Sequence, residues 1–139
     1  MGDKMNYLRR NKEGIEINNE LGSVFINSGL KKYINKLCMN NLSTYEGRRI
    51  STSNFLGENN NIPIYVNTQI ILYPVKSIRC YDTVFVNFKE VLSIKKVSKG
   101  YTKFIFTNLS EIVVEVSINI INKQHIRIHK IIDYLNYIN

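Results

Sequence analysis

The sequence predicts an α+β fold: a mostly antiparallel β-sheet with a C-terminal amphipathic helix and a short N-terminal basic helix. Three observations carry this. Residues 62–116 hold β-branched and aromatic runs separated by turn residues. From Ile121 to Ile138 apolar residues recur at helical spacing. Near the other end, Leu30, Ile34 and Leu37 recur at three to four residues, with Lys31, Lys32 and Lys36 between them.

Taken in order, residues 1–20 are polar and poorly patterned apart from Ile15 and Ile17, which predicts a partly ordered, frayed terminus. A single domain is expected over 21–139, starting with a short strand near 23–27. The basic helix covers about 29–38. Residues 40–61 are rich in Asn, Ser, Thr and Gly and read as loop. Strands follow at 62–66 and 70–73, with Asn67-Thr68 as the turn and Pro74 as the stop. Residues 83–88 alternate, placing Val84, Val86 and Phe88 on one face. Turns at Lys99-Gly100 and 108–110 divide 91–116 into a three-stranded antiparallel meander. Ser117 is a suitable N-cap for a helix over 118–137.

The chain has 139 residues, and 19 basic against 11 acidic side chains leave it at +8. Its natural partners are polyanions, either nucleic acid or an acidic membrane face. A hydrophobic share of 44% excludes disorder as the default state. There are 21 Ile, 19 Asn and 13 Lys, and no Ala, which matches A/T-rich coding. That bias favours Lys over Arg, yet leaves Glu equally available, so it does not account for the positive surplus. Residues 43–100 hold net +4, the largest share.

Several classes fall away. No apolar core follows Lys4, Arg9, Arg10 and Lys12, so no secretory leader is expected. The longest uncharged stretch, 59–75, is 17 residues but carries five Asn or Gln and two Pro, which does not fit a membrane span. Cys38 and Cys80 are too few for a zinc cage or a disulfide framework, and read as reduced thiols of a cytoplasmic protein, with a Cys38–Cys80 bridge as the alternative. His125 and His129 stand at metal-binding spacing, but no third ligand accompanies them, so packing is the better reading. Glu46 and Asp82 lack a partner at catalytic spacing, and no nucleophile or phosphate-loop pattern appears. An enzyme, a cofactor and a metal are therefore not expected.

The basic residues point further. Lys95, Lys96, Lys99 and Lys103 surround a β-turn, where ammonium groups can lie along a phosphate backbone or simply guard an edge strand. Ser43-Thr44-Tyr45-Glu46-Gly47-Arg48-Arg49 places a tandem Arg pair after a Gly. Guanidiniums can fork onto phosphates or enter a narrow minor groove.

That segment, with Ser51-Thr52, resembles the Ser-Ser/Thr-Tyr-x-Gly-Arg-Lys/Arg stretch of the ComK competence transcription factors. Ile62-Pro63-Ile64-Tyr65-Val66 is similar to the family's Pro-Ile-x-Val strand, and Gln69-Ile70-Ile71-Leu72-Tyr73-Pro74 to its Ile-x-Phe/Tyr-Pro run. Ser77, Cys80, Phe106-Thr107-Asn108, Val116-Ser117, Gln124 and Arg127 continue the likeness, in order, across roughly 40–132. Tyr81-Asp82 follows the Cys where the family usually carries Trp, and the first 40 residues match loosely. A vaguer likeness links 86–94 and 101–103 to LytTR-type DNA-binding domains.

The resemblance implies an activator of DNA-uptake genes that binds paired A/T-rich boxes of double-stranded DNA from the minor groove and bends them as a homo-oligomer. RNA polymerase and a proteolytic adaptor are its implied protein partners; no membrane is involved. Arg48 and Arg49 occupy the matching basic pair and are assigned to DNA contact, with Lys76, Arg79, Lys95, Lys96, Lys99 and Lys103 as further phosphate contacts. Tyr81 and the helix 118–137 are candidate dimer surfaces. The rival readings are a protein-interaction module and an RNA-binding protein, the latter using Tyr45, Tyr65, Tyr73 and Tyr101 for stacking.

Overall fold

The structure, a computed structural model, describes residues 4–138. Three strands open the chain: β1 (Met5–Asn11), β2 (Gly14–Asn19) and β3 (Gly22–Ile26). Two helices follow, α1 (Leu30–Met39) and α2 (Tyr45–Leu56), then strands β4 (Ile64–Asn67), β5 (Ile70–Pro74) and β6 (Val84–Asn87). A short 3-10 turn at Phe88–Glu90 leads to β7 (Val91–Ser98), β8 (Tyr101–Phe106), β9 (Glu111–Val114) and the helix α3 (Ile118–Ile138).

The strands form two sheets, both antiparallel. The larger runs β3-β2-β1-β6-β5-β4, and the smaller β7-β8-β9. Period-two alternation gives the larger sheet two apolar faces. One buries Leu8, Ile15, Leu72 and Phe85 against Leu30, Ile34 and Cys38 of α1 and Tyr45 of α2. The other buries Tyr7, Tyr73 and Val86 against Phe104, Phe106, Ile112 and Val114 of the small sheet and Ile121 and Ile128 of α3. The α+β architecture, the 91–116 meander and the C-terminal helix are as the sequence predicts.

Two local expectations are corrected. Residues 5–19 are not a frayed leader: they form β1 and β2, and β1 lies inside the large sheet between β2 and β6. Their buried polar residues, Asn6 and Glu16, are hydrogen-bonded. The Asn6 amide donates to Asn18 Oδ1 at 2.9 Å, and Arg9 Nε donates to Glu16 Oε1 at 2.7 Å. Likewise, residues 45–56 are a helix and not loop.

Buried Asn87 ties the sheet centre together. Its Oδ1 accepts from the Ile71 and Lys89 amides at 3.0 and 3.2 Å, while its Nδ2 donates to the carbonyls of Met5 and Gln69 at 2.9 and 3.2 Å. Gly14 allows a second close approach: at φ +145°, a Cβ there would stand 2.1 Å from the Ile26 carbonyl oxygen, so β3 ends hard against the β1–β2 turn.

Candidate nucleic-acid interface

Helix α2 carries the tandem arginines, and its ends explain why a polar segment folds there. Thr44 is extended, and its Oγ1 accepts from the Gly47 amide at 2.9 Å, an N-cap worth about 1 kcal/mol. A Cβ on residue 47 would stand 2.9 Å from that oxygen, so Gly47 makes room for the cap. Asn35 of α1 accepts from the Tyr45 amide at 2.8 Å, and Glu46 places its negative charge near the helix N-terminus. Gly57 closes the helix in the left-handed conformation, φ 68°, donating to Ser53 O.

Both guanidiniums are pre-oriented. Arg48 Nε donates to Ser43 Oγ at 3.0 Å, and its guanidinium stands 5.8 Å from the Tyr65 ring of β4. Arg49 Nε donates to Glu46 Oε1 at 2.7 Å. Lys31 of α1 approaches the other oxygen of Glu46 at 3.9 Å and sits 5.3 Å from the Tyr45 ring. Arg49 and Lys31 share the one carboxylate while Arg48 is held by Ser43, so the cluster stays positive. Sequence reasoning missed Lys31 as a member, because only the α1–α2 packing brings it to the pair; its place on a basic helix was the available signal.

The other predicted residues lie elsewhere. Lys76, just past β5, pairs with Asp82 at 2.6 Å and approaches Glu115 at 3.9 Å. The Asp82 hydrogen bond raises the Lys76 ammonium above its ordinary value and, reciprocally, holds the Asp82 carboxyl below its own. Arg79 is exposed on the same loop. That loop is held by Arg10, whose guanidinium donates to the carbonyls of Ile78 and Cys80 at 2.8 and 2.9 Å. Lys95 lies directly opposite Lys103 in the β7–β8 ladder, with Lys96 and Lys99 exposed beside the turn. Lys103 approaches Glu111 at 3.4 Å. The structure thus places the four lysines on one hairpin, Lys95 and Lys103 paired on its outer face and Lys96 opposite inward Thr102, and it gathers Arg48, Arg49 and Lys31 together. It places these groups on different layers, the lysines on the small sheet and the arginines against α1 and β4.

A family model described as ComK protein matches residues 7–136. The chain belongs to the ComK family. It is therefore a member of a family of competence transcription factors, and that family is not one of enzymes. No curated protein and no solved structure gives a match.

Within this ComK-family chain, Gln124 and Arg127 turn out to be anchors. Gln124 Nε2 donates to Asn61 O at 2.7 Å and Pro74 O at 3.2 Å. Arg127, only 5% exposed, donates to Asn60 O at 3.0 Å and Asn61 O at 3.3 Å, and to Gln124 Oε1 at 2.8 Å. Its Nε stands 3.2 Å from Glu58, close enough for an ion pair but not aligned as a hydrogen bond. Burial lowers its ordinary value while Glu58 opposes that. These bonds fasten the 58–61 segment, and hence the end of α2, to α3. A second link is the Phe55–Tyr134 ring pair, 4.7 Å between centroids.

The histidines pack. His125 Nε2 stands 2.6 Å from the Tyr73 hydroxyl, and Phe88 meets both His125 and His129 edge-on. Burial, with the neighbouring His129 charge, lowers His125 to about 4, so the ring is neutral and Nε2 accepts from Tyr73. Among the described residues no group of three His, Cys, Asp or Glu could hold a metal ion, and no helix is long and apolar enough to cross a membrane. Cys38 is buried and Cys80 exposed, and both are free thiols.

Proposed function

We propose that this protein is a cytoplasmic activator of competence and DNA-uptake genes that binds A/T-rich boxes of double-stranded DNA through the minor groove and bends the duplex as an oligomer. The observation that carries this reading is the pre-orientation of Arg48 and Arg49 on α2. Guanidiniums already fixed by Ser43, Tyr65 and Glu46 lose little side-chain entropy on meeting phosphates or a narrow minor groove. The lysines of the β7–β8 hairpin and exposed Arg79, on a separate loop, support it as further phosphate contacts. RNA polymerase and a proteolytic adaptor belong to the same reading as protein partners.

The test is Arg48→Ala/Arg49→Ala, assayed by fluorescence anisotropy on an A/T-box duplex. Each lost contact is worth about 1–3 kcal/mol, so affinity should fall at least tenfold. Wild-type affinity should also drop steeply with salt, and the double variant's salt slope should be shallower. Unchanged affinity in the variant would remove the arginines from the interface. A flat salt response in the wild type would overturn DNA binding itself.

A further inference from the structure

Sheets end in edges, and an open edge invites pairing with another chain. The two sheets have four edges: β3, β4, β7 and β9. Three are guarded. Helix α2 lies along β4, with Arg48 over the Tyr65 ring. Strand β7 has register shifts at Val91/Ser93 and Lys96/Ser98 and presents Lys95 and Lys96. Strand β9 is four residues long, begins at Glu111 and is followed by Glu115.

Strand β3 has none of these protections. It pairs with β2 over five consecutive residues without a register shift. The stretch 21–29 contains no charged residue and no Pro, in a chain of net +8. It also presents apolar side chains to solvent, Val24 at 51% and Phe25 at 61% exposure.

We infer that β3 is a self-association edge, at which a second copy of this chain pairs antiparallel to form a symmetric dimer with a continuous twelve-stranded sheet. Two features select a second copy over a foreign strand. The first is complementary volume. Two antiparallel strands related by a two-fold axis through Val24 place Ser23 opposite the partner's Phe25, and Gly22 opposite the partner's Ile26, so each large side chain meets a small one. The axis also brings Val24 to its own copy, and the two Phe25 rings come within diagonal reach. The second is charge: between two chains of +8, the strand itself sets no cation against another.

The register follows from the hairpin. Asn19 pairs with Gly22 across a two-residue turn, so Gly22, Val24 and Ile26 bond to β2, while Ser23 and Phe25 turn their N–H and C=O outward. Ser23 and Phe25 then form the hydrogen-bonded pairs of the dimer, and Val24 faces itself in a non-hydrogen-bonded pair, about 4.5 Å between Cα atoms. A five-residue strand covers less than the roughly 1,000 Å² of an autonomous stable interface, so the dimer is reversible. It deepens the reading of an oligomer on paired DNA boxes, but is measured without DNA, so it stands or falls separately.

The test uses the full chain with Cys80→Ser. In that background Val24→Cys should cross-link with oxidised glutathione at least tenfold faster than Phe25→Cys, whose partner lies opposite residue 23 and beyond the roughly 7 Å limit for a disulfide. Separately, sedimentation of the wild type into the hundreds of micromolar should show monomer and dimer, and Val24→Lys should remain monomeric with an unchanged circular dichroism spectrum. Equal cross-linking of the two cysteine variants, a wild type that stays monomeric, or a Val24→Lys variant that still dimerises would each overturn the β3 interface.

Discussion

Acidification from pH 7.5 to 5 sets His125 against its own site. The neutral ring accepts a 2.6 Å hydrogen bond from Tyr73, whose buried hydroxyl is raised well above its ordinary value and so stays protonated. A proton on Nε2 abolishes that acceptor, and no carboxylate lines the pocket to compensate: Lys89, Ser93, Asn122 and His129 are its polar neighbours. The folded value of about 4 lies below the ordinary 6.5, so the unfolded chain binds the proton first. Stability is therefore full above about pH 6.5 and is lost as pH falls toward 4. By pH 5 the loss is about 2 kcal/mol from the gap alone, at roughly 1.4 kcal/mol per pH unit, and partial exposure of the ring reduces it to about 1. That corresponds to a Tm fall of about 3–5 °C in a chain of this size. Glu16 is held below its ordinary range by Ser23 and Arg9 against its own desolvation, and Asp82 by Lys76, so both titrate below this window. Thermal unfolding at half-unit steps from pH 7.5 to 5 reads the effect, with His125→Gln as the comparison. The variant keeps an acceptor for Tyr73 and should flatten the slope. An identical slope in the variant, or a flat wild-type profile, would refute the assignment.

Three further outcomes can be checked. Arg127→Met should lower stability by about 1–3 kcal/mol, because it removes the hydrogen bonds to the Asn60 and Asn61 carbonyls and frees 58–61; chemical denaturation measures this, and hydrogen exchange should rise first in 57–61 and the last turn of α2. Thr44→Ala should cost about 1 kcal/mol in the same denaturation assay and shift duplex affinity only slightly. Asn87→Leu should cost about 2–4 kcal/mol despite its added apolar volume, since the Ile71 amide and the Met5 carbonyl lose their partner; urea titration checks it, and an unchanged midpoint would show the network is dispensable.

The parts legible in the sequence were those whose burial follows a simple period. In β8, Thr102, Phe104 and Phe106 point inward at every second residue, and α3 buries Ile121, Ile128 and Ile131 at helical spacing. Helix α2 was hidden because its sequence, YEGRRISTSNFL, has no apolar stripe: only Tyr45 and Thr52 are buried. It is held by Thr44, Asn35, Gly57 and the Arg127 anchor, which are long-range facts for the most part. Strand β1 was hidden for a related reason, since Asn6 and Arg9 read as surface until Asn18 and Glu16 are placed beside them. In the candidate site, the Arg pair stood out by composition, whereas its link to Lys31 through Glu46 needed the fold.

The placement of β1 also bears on how the chain is made. Tyr7 pairs with Val86, so the strand synthesised first waits for one made almost eighty residues later. Until β6 leaves the ribosome, β1–β3 is a lone three-stranded ribbon whose inner edge and outer edge are both open. Helix α2 waits longer still, for Gln124 and Arg127 of α3. Large loop closures of this kind slow folding and prolong the exposure of unpaired strands. The nascent protein therefore gains its arginine-bearing helix in settled form only once α3 has been made, so a fragment cut short before α3 would carry the basic residues without the geometry that orients them.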